Sequence, residues 1–137
     1  MAVLILDSEA LSALARPREN PTRHERVRAA LRSAQRREAP VRVPSAVLVE
    51  LYRGPGIDEH IDQVLARRFA RVVTTGVRIA RIAGHLLARH GAGSEMAIDA
   101  LVVATAIRFG GGLVLTHDPT DLGALAADHP NVAIVGV

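Results

Sequence analysis

The stretch AVLILDSEALSAL, from Ala2 to Leu14, holds the pattern on which the fold turns. Ala2 to Leu6 is continuously apolar, as expected of a strand buried on both faces. Ser8 to Ala15 then reads as a short helix, and Pro17 stops it. An acid, Asp7, stands at the junction. Strand, acid, helix is the opening of an alternating α/β chain.

The rest of the sequence continues the alternation. Val41–Val43, Val72–Val73, Leu113–Leu115 and Val132–Val135 are further strand candidates. A long amphipathic helix is predicted from Thr22 until Pro40 ends it, with Val27, Ala30, Leu31 and Ala34 on one stripe and Arg28, Arg32 and Arg36 on another face. Further helices are predicted over Ser45–Arg53, closed by Gly54-Pro55-Gly56, and over Ile57–Phe69, Val77–His90 and Asp121–Ala127. The segment Ser94–Phe109 is apolar almost all round, which marks it as the most buried helix. Strands alternating with helices predict an α/β fold with a parallel sheet covered on both faces.

Composition narrows the function. The chain has 137 residues, enough for one domain spanning residues 1–137. It contains no cysteine, which excludes disulfides, thiol nucleophiles and cysteine-based metal sites. It contains no lysine either, so all 17 basic residues are Arg. A lysine-dependent phosphate loop and Schiff-base chemistry are therefore excluded. Tyr52, Phe69 and Phe109 are its only aromatics, too few for base-stacking platforms. The net charge of +3 is compatible with a phosphate-rich partner without requiring one. Asp7 interrupts the first apolar run, so no export signal is read there. No apolar stretch is long enough to span a bilayer, and a cytoplasmic protein is the expectation.

Ligands of parallel sheets bind beyond the carboxyl ends of the strands. Asp7 and Asp118 follow strands, Glu50 lies on the helix after the second strand, and Asp99 is near the start of the buried helix. Each acid also has a plain structural role open to it. Asp7 can cap the helix at Ser8, and Asp118 can serve a turn before Pro119. Glu50 can pair with Arg53, although Ala46 and Val47 beside it suggest a partly buried face. Asp99 shares its helix face with Val102, Val103 and Ala106, where a carboxylate is costly without compensation. Two carboxylates ~4 Å apart repel by on the order of 4 kcal/mol at an effective dielectric near 20. A cluster of them calls for protonation or a cation. Oxygen ligands without a cysteine or a good histidine pair suit Mg²⁺ or Mn²⁺ better than Zn²⁺.

Four segments then carry a family resemblance: LDSEALSAL at 6–14, PSAVLVELYRG at 44–54, AIDALVVATAI at 97–107 and LVLTHDPTDLGAL at 113–125. The chain resembles a PIN-domain ribonuclease, and more narrowly the VapC toxins of bacterial toxin–antitoxin pairs. The resemblance implies a five-stranded parallel sheet around an acidic pocket. It places the family's acids on Asp7, Glu50, Asp99 and Asp118, with Asp121 as a possible fifth, and its usual hydroxyl residue on Thr116. Ser8 stands where the family often has Thr or Asn, and Leu122 where Phe is common. Which of Asp118 and Asp121 faces the metal is left open.

The implied activity is RNA cleavage that leaves a 5′-phosphate and a 3′-hydroxyl. Asp7, Asp99 and Asp118 are the expected ligands of Mg²⁺ or Mn²⁺, Glu50 the residue that orients water, and Thr116 a donor to a ligand carboxylate or to the phosphate. The resemblance also implies a VapB-type antitoxin, a homodimer, and promoter DNA bound through the antitoxin complex. Arg16, Arg18, Arg23 and the Arg28/Arg32/Arg36 face are candidate phosphate contacts, with a solvated helix face as the plain alternative. His117 is expected to point away from the acids, and His85 and His90 have the wrong spacing for a metal pair. The competing readings are a catalytically inactive PIN-fold module that holds RNA or a partner, and a DNA nuclease or other metal-dependent hydrolase.

Overall fold

The apolar run at the start of the chain forms β1 (Val3–Leu6), buried along its whole length. It lies at the centre of a sheet because its neighbours on both sides cover its edges. The computed structural model describes residues 2–137. Within it, β1 joins β2 (Val41–Pro44), β3 (Arg71–Val73), β4 (Gly112–Thr116) and β5 (Val132–Gly136) in the order β3-β2-β1-β4-β5. Every pairing is parallel, as the alternating pattern predicts.

Seven α-helices connect the strands: α1 (Ser8–Ala15), α2 (Pro21–Arg36), α3 (Leu48–Leu51), α4 (Ile57–Ala66), α5 (Val77–Arg89), α6 (Ala97–Arg108) and α7 (Pro119–Leu125). The chain runs outward from β1 to β2 and β3, then returns to place β4 on the other side of β1. Parallel crossovers are right-handed, so this reversal puts the two groups of helices on opposite faces. Accordingly α1 packs with α2 and α4, while α6 packs with α5 and α7 and against the strands. In α6, Ala100, Val102, Val103, Ala104, Thr105 and Ala106 are all buried, and the Thr105 hydroxyl donates to the Leu101 carbonyl at 2.7 Å. The buried polar group is thereby satisfied within the helix. Among the described residues, no helix is long and apolar enough to cross a membrane.

Several boundaries differ from the sequence reading, each for a local reason. The predicted helix over Ser45–Arg53 is a 3₁₀ turn, Ser45–Val47, followed by the single α-helical turn of α3. Tyr52 leaves the helix, and the Asp58 carboxylate takes the Arg53 and Gly54 N–H groups at 2.9 and 3.0 Å. The first turn of Ser94–Phe109 is likewise 3₁₀. Helix α7 begins at Pro119 rather than Asp121, because Asp118 caps it and proline suits the first helical position.

Helix α2 stops at Arg36 and α4 at Ala66, short of the predicted ends. Just beyond each, Glu38 and Arg68 adopt φ of 55° and 62°. These are left-handed positions that terminate a helix and favour glycine. A side chain there costs about 1–2 kcal/mol.

One glycine is required by close approach. At Gly112, where β4 begins beside Val3, an added Cβ would collide with the Val3 carbonyl oxygen. Gly112→Ala is expected to destabilise the fold by about 1–3 kcal/mol, whereas Glu38→Gly is expected to stabilise it by about 1 kcal/mol. Urea unfolding midpoints of the two variants, moving in opposite directions, check both.

Candidate active site

The sheet reverses its winding between β1 and β4, and the crevice beyond their carboxyl ends is where such a fold binds ligands. Leu6 pairs with Leu115, so the next residues, Asp7 and Thr116, stand side by side at this point. The Asp7 N–H donates to the Leu115 carbonyl at 3.2 Å, extending the ladder by one residue. Its Oδ1 accepts the Ala10 N–H at 2.9 Å and caps α1. The expected capping role is therefore real, and it fixes this carboxylate at the mouth of the crevice.

Thr116 is buried at the end of β4, and its hydroxyl oxygen accepts the Asp118 N–H at 3.1 Å. The hydroxyl also steadies the charged form of Asp7, as does the Ala10 N–H. Burial outweighs both. Asp7 is only 7% exposed, and burial, reinforced by Glu9 and Asp99, pushes its pKa from 3.8 up to about 6.

The other acids approach from neighbouring elements. Asp99 projects from the first turn of α6, half-buried. Its pKa is raised by burial and then by the charges of Glu50, Asp121 and Asp118. All five acids named from the sequence thus belong to one electrostatic cluster, with Asp99 facing the rest. Asp118 and Asp121 both lie exposed, Asp121 in the first turn of α7 and Asp118 just before it, where it caps the helix through the Thr120 N–H at 3.3 Å. Glu50 is exposed on α3, not partly buried as its neighbours suggested. It makes no ion pair with Arg53, whose guanidinium donates to the Val49 and Tyr52 carbonyls instead. The short α3 is held in place by Tyr52, whose hydroxyl donates to Asp62 of α4 at 2.5 Å.

Among the described residues, no three His, Asp or Glu side chains converge tightly enough to grip one ion as they stand. The donor chemistry nevertheless fits a hard divalent cation. Every donor is a carboxylate or hydroxyl oxygen, and Asp99 disfavours the charge of Asp7. A cation is what such a set compensates for.

Comparison with known proteins bears on this arrangement. The family model of the PIN domain matches residues 4–126. The chain belongs to the PIN-domain family. Three solved structures share the fold of this PIN domain at low identity. The Rickettsia felis VapBC2 complex, bound to a DNA fragment from its promoter, aligns with a TM-score of 0.68 at 14% identity over 98% of both chains. A Klebsiella pneumoniae toxin–antitoxin complex aligns at 0.67 and 16% identity, over 98% of this chain and 99% of the other. DNA-bound VapBC from Salmonella typhimurium aligns at 0.66 and 19% identity, over 99% and 98%. No curated protein matches the sequence.

Sequence reasoning missed one part of this PIN domain. Glu9 adds its charge to the Asp7 environment and receives Arg23 of α2 at 3.4 Å. The same guanidinium lies 2.7 Å from His117 Nδ1, so His117 turns toward Arg23, as its position one residue from Asp118 had suggested. Arg23 must donate there, which leaves Nδ1 as the acceptor. Arg23, counted among the free phosphate contacts, is thus engaged at the rim. Glu9 stands two positions after Asp7, and that spacing was the available signal.

The Asp7 shift has a sign. A carboxyl whose pKa is higher when folded binds its proton more tightly in the native state. The stability it lends is complete below pH 3.8 and is lost as pH rises through about 6. A shift of this size corresponds to on the order of 2–3 kcal/mol. Asn caps helices as well as Asp, so Asp7→Asn in EDTA is expected to unfold at a higher temperature than wild type at pH 8. The gap should close toward pH 4, as thermal melts across that range would show.

Proposed function

We propose that the chain is a metal-dependent endoribonuclease, the VapC-type toxin of a toxin–antitoxin pair, built as one nuclease domain over residues 1–137. The observation that carries this reading is the group of acids at the β1/β4 crevice, with Asp99 within electrostatic reach of Glu50, Asp118 and Asp121 in a PIN-family chain. The fold shared with the three toxin–antitoxin complexes supports it.

Asp7, Asp99 and Asp118 would hold Mg²⁺ or Mn²⁺, with Asp121 the alternative to Asp118. Such an ion, when bound, supplies charge for the phosphate and makes water a usable nucleophile near neutral pH. The protein's own residues then set the geometry. Asp7 is fixed by its capping bond and by Thr116, so its carboxylate arrives preorganised. Glu50, exposed at the rim, orients the attacking water and accepts its proton. The Thr116 hydroxyl donates to a ligand carboxylate or to the scissile phosphate. The products are a 5′-phosphate and a 3′-hydroxyl.

The partners in this reading are an RNA substrate, a cognate VapB-type antitoxin, promoter DNA reached through that complex, and a second copy of the chain in a cytoplasmic homodimer. An inactive module has no chemical reason to keep carboxylates that destabilise one another.

Antitoxin-free protein is expected to cut a structured RNA mixture with Mg²⁺ or Mn²⁺ and to stop in EDTA. Asp99→Asn and Asp7→Asn should each lower the rate at least about 100-fold. End mapping on gels identifies the products. Cutting that persists in EDTA and in both variants would sink this mechanism, and metal binding without cutting would favour the inactive module.

A further inference from the structure

A second concavity lies away from the acidic crevice. It is a groove of about 1050 Å³ on the α1, α2 and α4 face. Its walls carry six arginines: Arg28 and Arg32 from α2, Arg42 of β2, and Arg67, Arg68 and Arg71 around the end of α4 and the start of β3. Glu38 is the one acid among the described lining residues. Arg32 reaches out to Glu25 at 2.7 Å. Among the described residues, no carboxylate lies within ion-pair distance of the other five.

Six guanidinium groups gathered in one concavity with a single lining carboxylate repel one another, and the low-dielectric walls strengthen their common field. Packing does not require this. Arg68 occupies a left-handed position that glycine would fill more easily, yet it places a sixth cation on the groove. An anionic ligand with several charges would relieve the repulsion.

We propose that this groove is a track for the phosphodiester backbone of single-stranded RNA, leading to the acidic crevice. The identity of the strand rests on the ribonuclease reading above. Two further observations favour it. The groove and the crevice share α1: Asp7 caps one end, and Leu14 and Ala15 line the groove at the other. Eight helical residues make that separation about 12 Å, within the reach of a short bound strand. The lining chemistry also suits a backbone rather than bases. Arginine forks match phosphate oxygens, and Phe69 is the one aromatic among the described lining residues. Binding is therefore indifferent to sequence and steeply salt-dependent.

The test uses the full antitoxin-free chain in EDTA, so that binding is read without metal or cleavage. The probe is a labelled oligouridylate of about 12 nucleotides, followed by fluorescence anisotropy between about 50 and 200 mM salt. Oligoglutamate of equal charge is the competitor. Arg67→Ala/Arg71→Ala is expected to weaken RNA binding about tenfold at the lower salt and to reduce the slope of log K against log salt by about 1.4, or about 0.7 per lost contact. Arg68→Gly is expected to weaken binding while raising the thermal midpoint, a pairing that a merely damaged protein cannot show.

Unchanged affinity and slope in these variants would overturn the proposal. So would oligoglutamate binding as tightly as RNA and losing affinity in parallel, since the groove would then be a dock for an acidic peptide. Cleavage is scored separately with Mg²⁺. If wild type cuts no RNA yet the anisotropy result holds, the ribonuclease reading fails and the groove remains an RNA track.

Discussion

The parallel pairing of β1 with β4 is the constraint on which the rest of the molecule depends. It runs from Val3 beside Gly112 to Leu6 beside Leu115 and ends with Asp7 and Thr116 abreast. At its start it demands a residue without a side chain, because the Val3 carbonyl fills the space of a Cβ at Gly112. At its end it opens the crevice where the winding of the sheet reverses. Every acid of the candidate site is then placed by the element that follows a strand or turns back toward that point. Helices α1 and α7 each begin on a capping aspartate, so the same residues that start helices also face the crevice.

The arrangement opposes stability. Asp7 is buried enough to favour its proton, and Asp99 is surrounded by like charge. Preorganised charge of this kind is useful where substrate phosphate must be met by a fixed constellation rather than by mobile side chains. The basic groove shows the same trend with the opposite sign, since its arginines have a positive neighbourhood and little acid within it. The protein thus keeps two only partly compensated fields, one at each end of α1. Their opposite polarity suits a ligand that carries negative charge along its length and is processed at one point.

Much of the fold was legible because burial leaves a plain trace. The continuous apolar run of β1, the exact extent of α1 and the apolar α6 follow from periodicity and from Pro and Gly positions. Asp7 and Asp118 were legible as residues following strands and Glu50 and Asp99 as acids on helices, and the structure sets Asp99 within electrostatic reach of the other four. The errors fall where a side chain competes for backbone groups. Asp58 captures the N–H groups of Arg53 and Gly54, which shortens a helix that apolar spacing alone would extend. Glu38 and Arg68 end helices without the glycine that normally marks such a stop. The link from Glu9 through Arg23 to His117 joins three distant parts of the chain, and no local pattern encodes it. Likewise Arg28 and Arg71 lie on one groove only because α2 and the edge of the sheet meet there.

The pairing of β1 with β4 also sets a timetable. Strand β1 must wait for a partner encoded far along the chain, with Val3 pairing with Gly112. Contacts so far apart in sequence form late, after the cost of closing the intervening loop has been met. During synthesis, Asp7 leaves the ribosome early, but Thr116 and Asp118 cannot join it until β4 emerges. Until then the chain carries Asp7, Glu50 and Asp99 without the crevice that unites them.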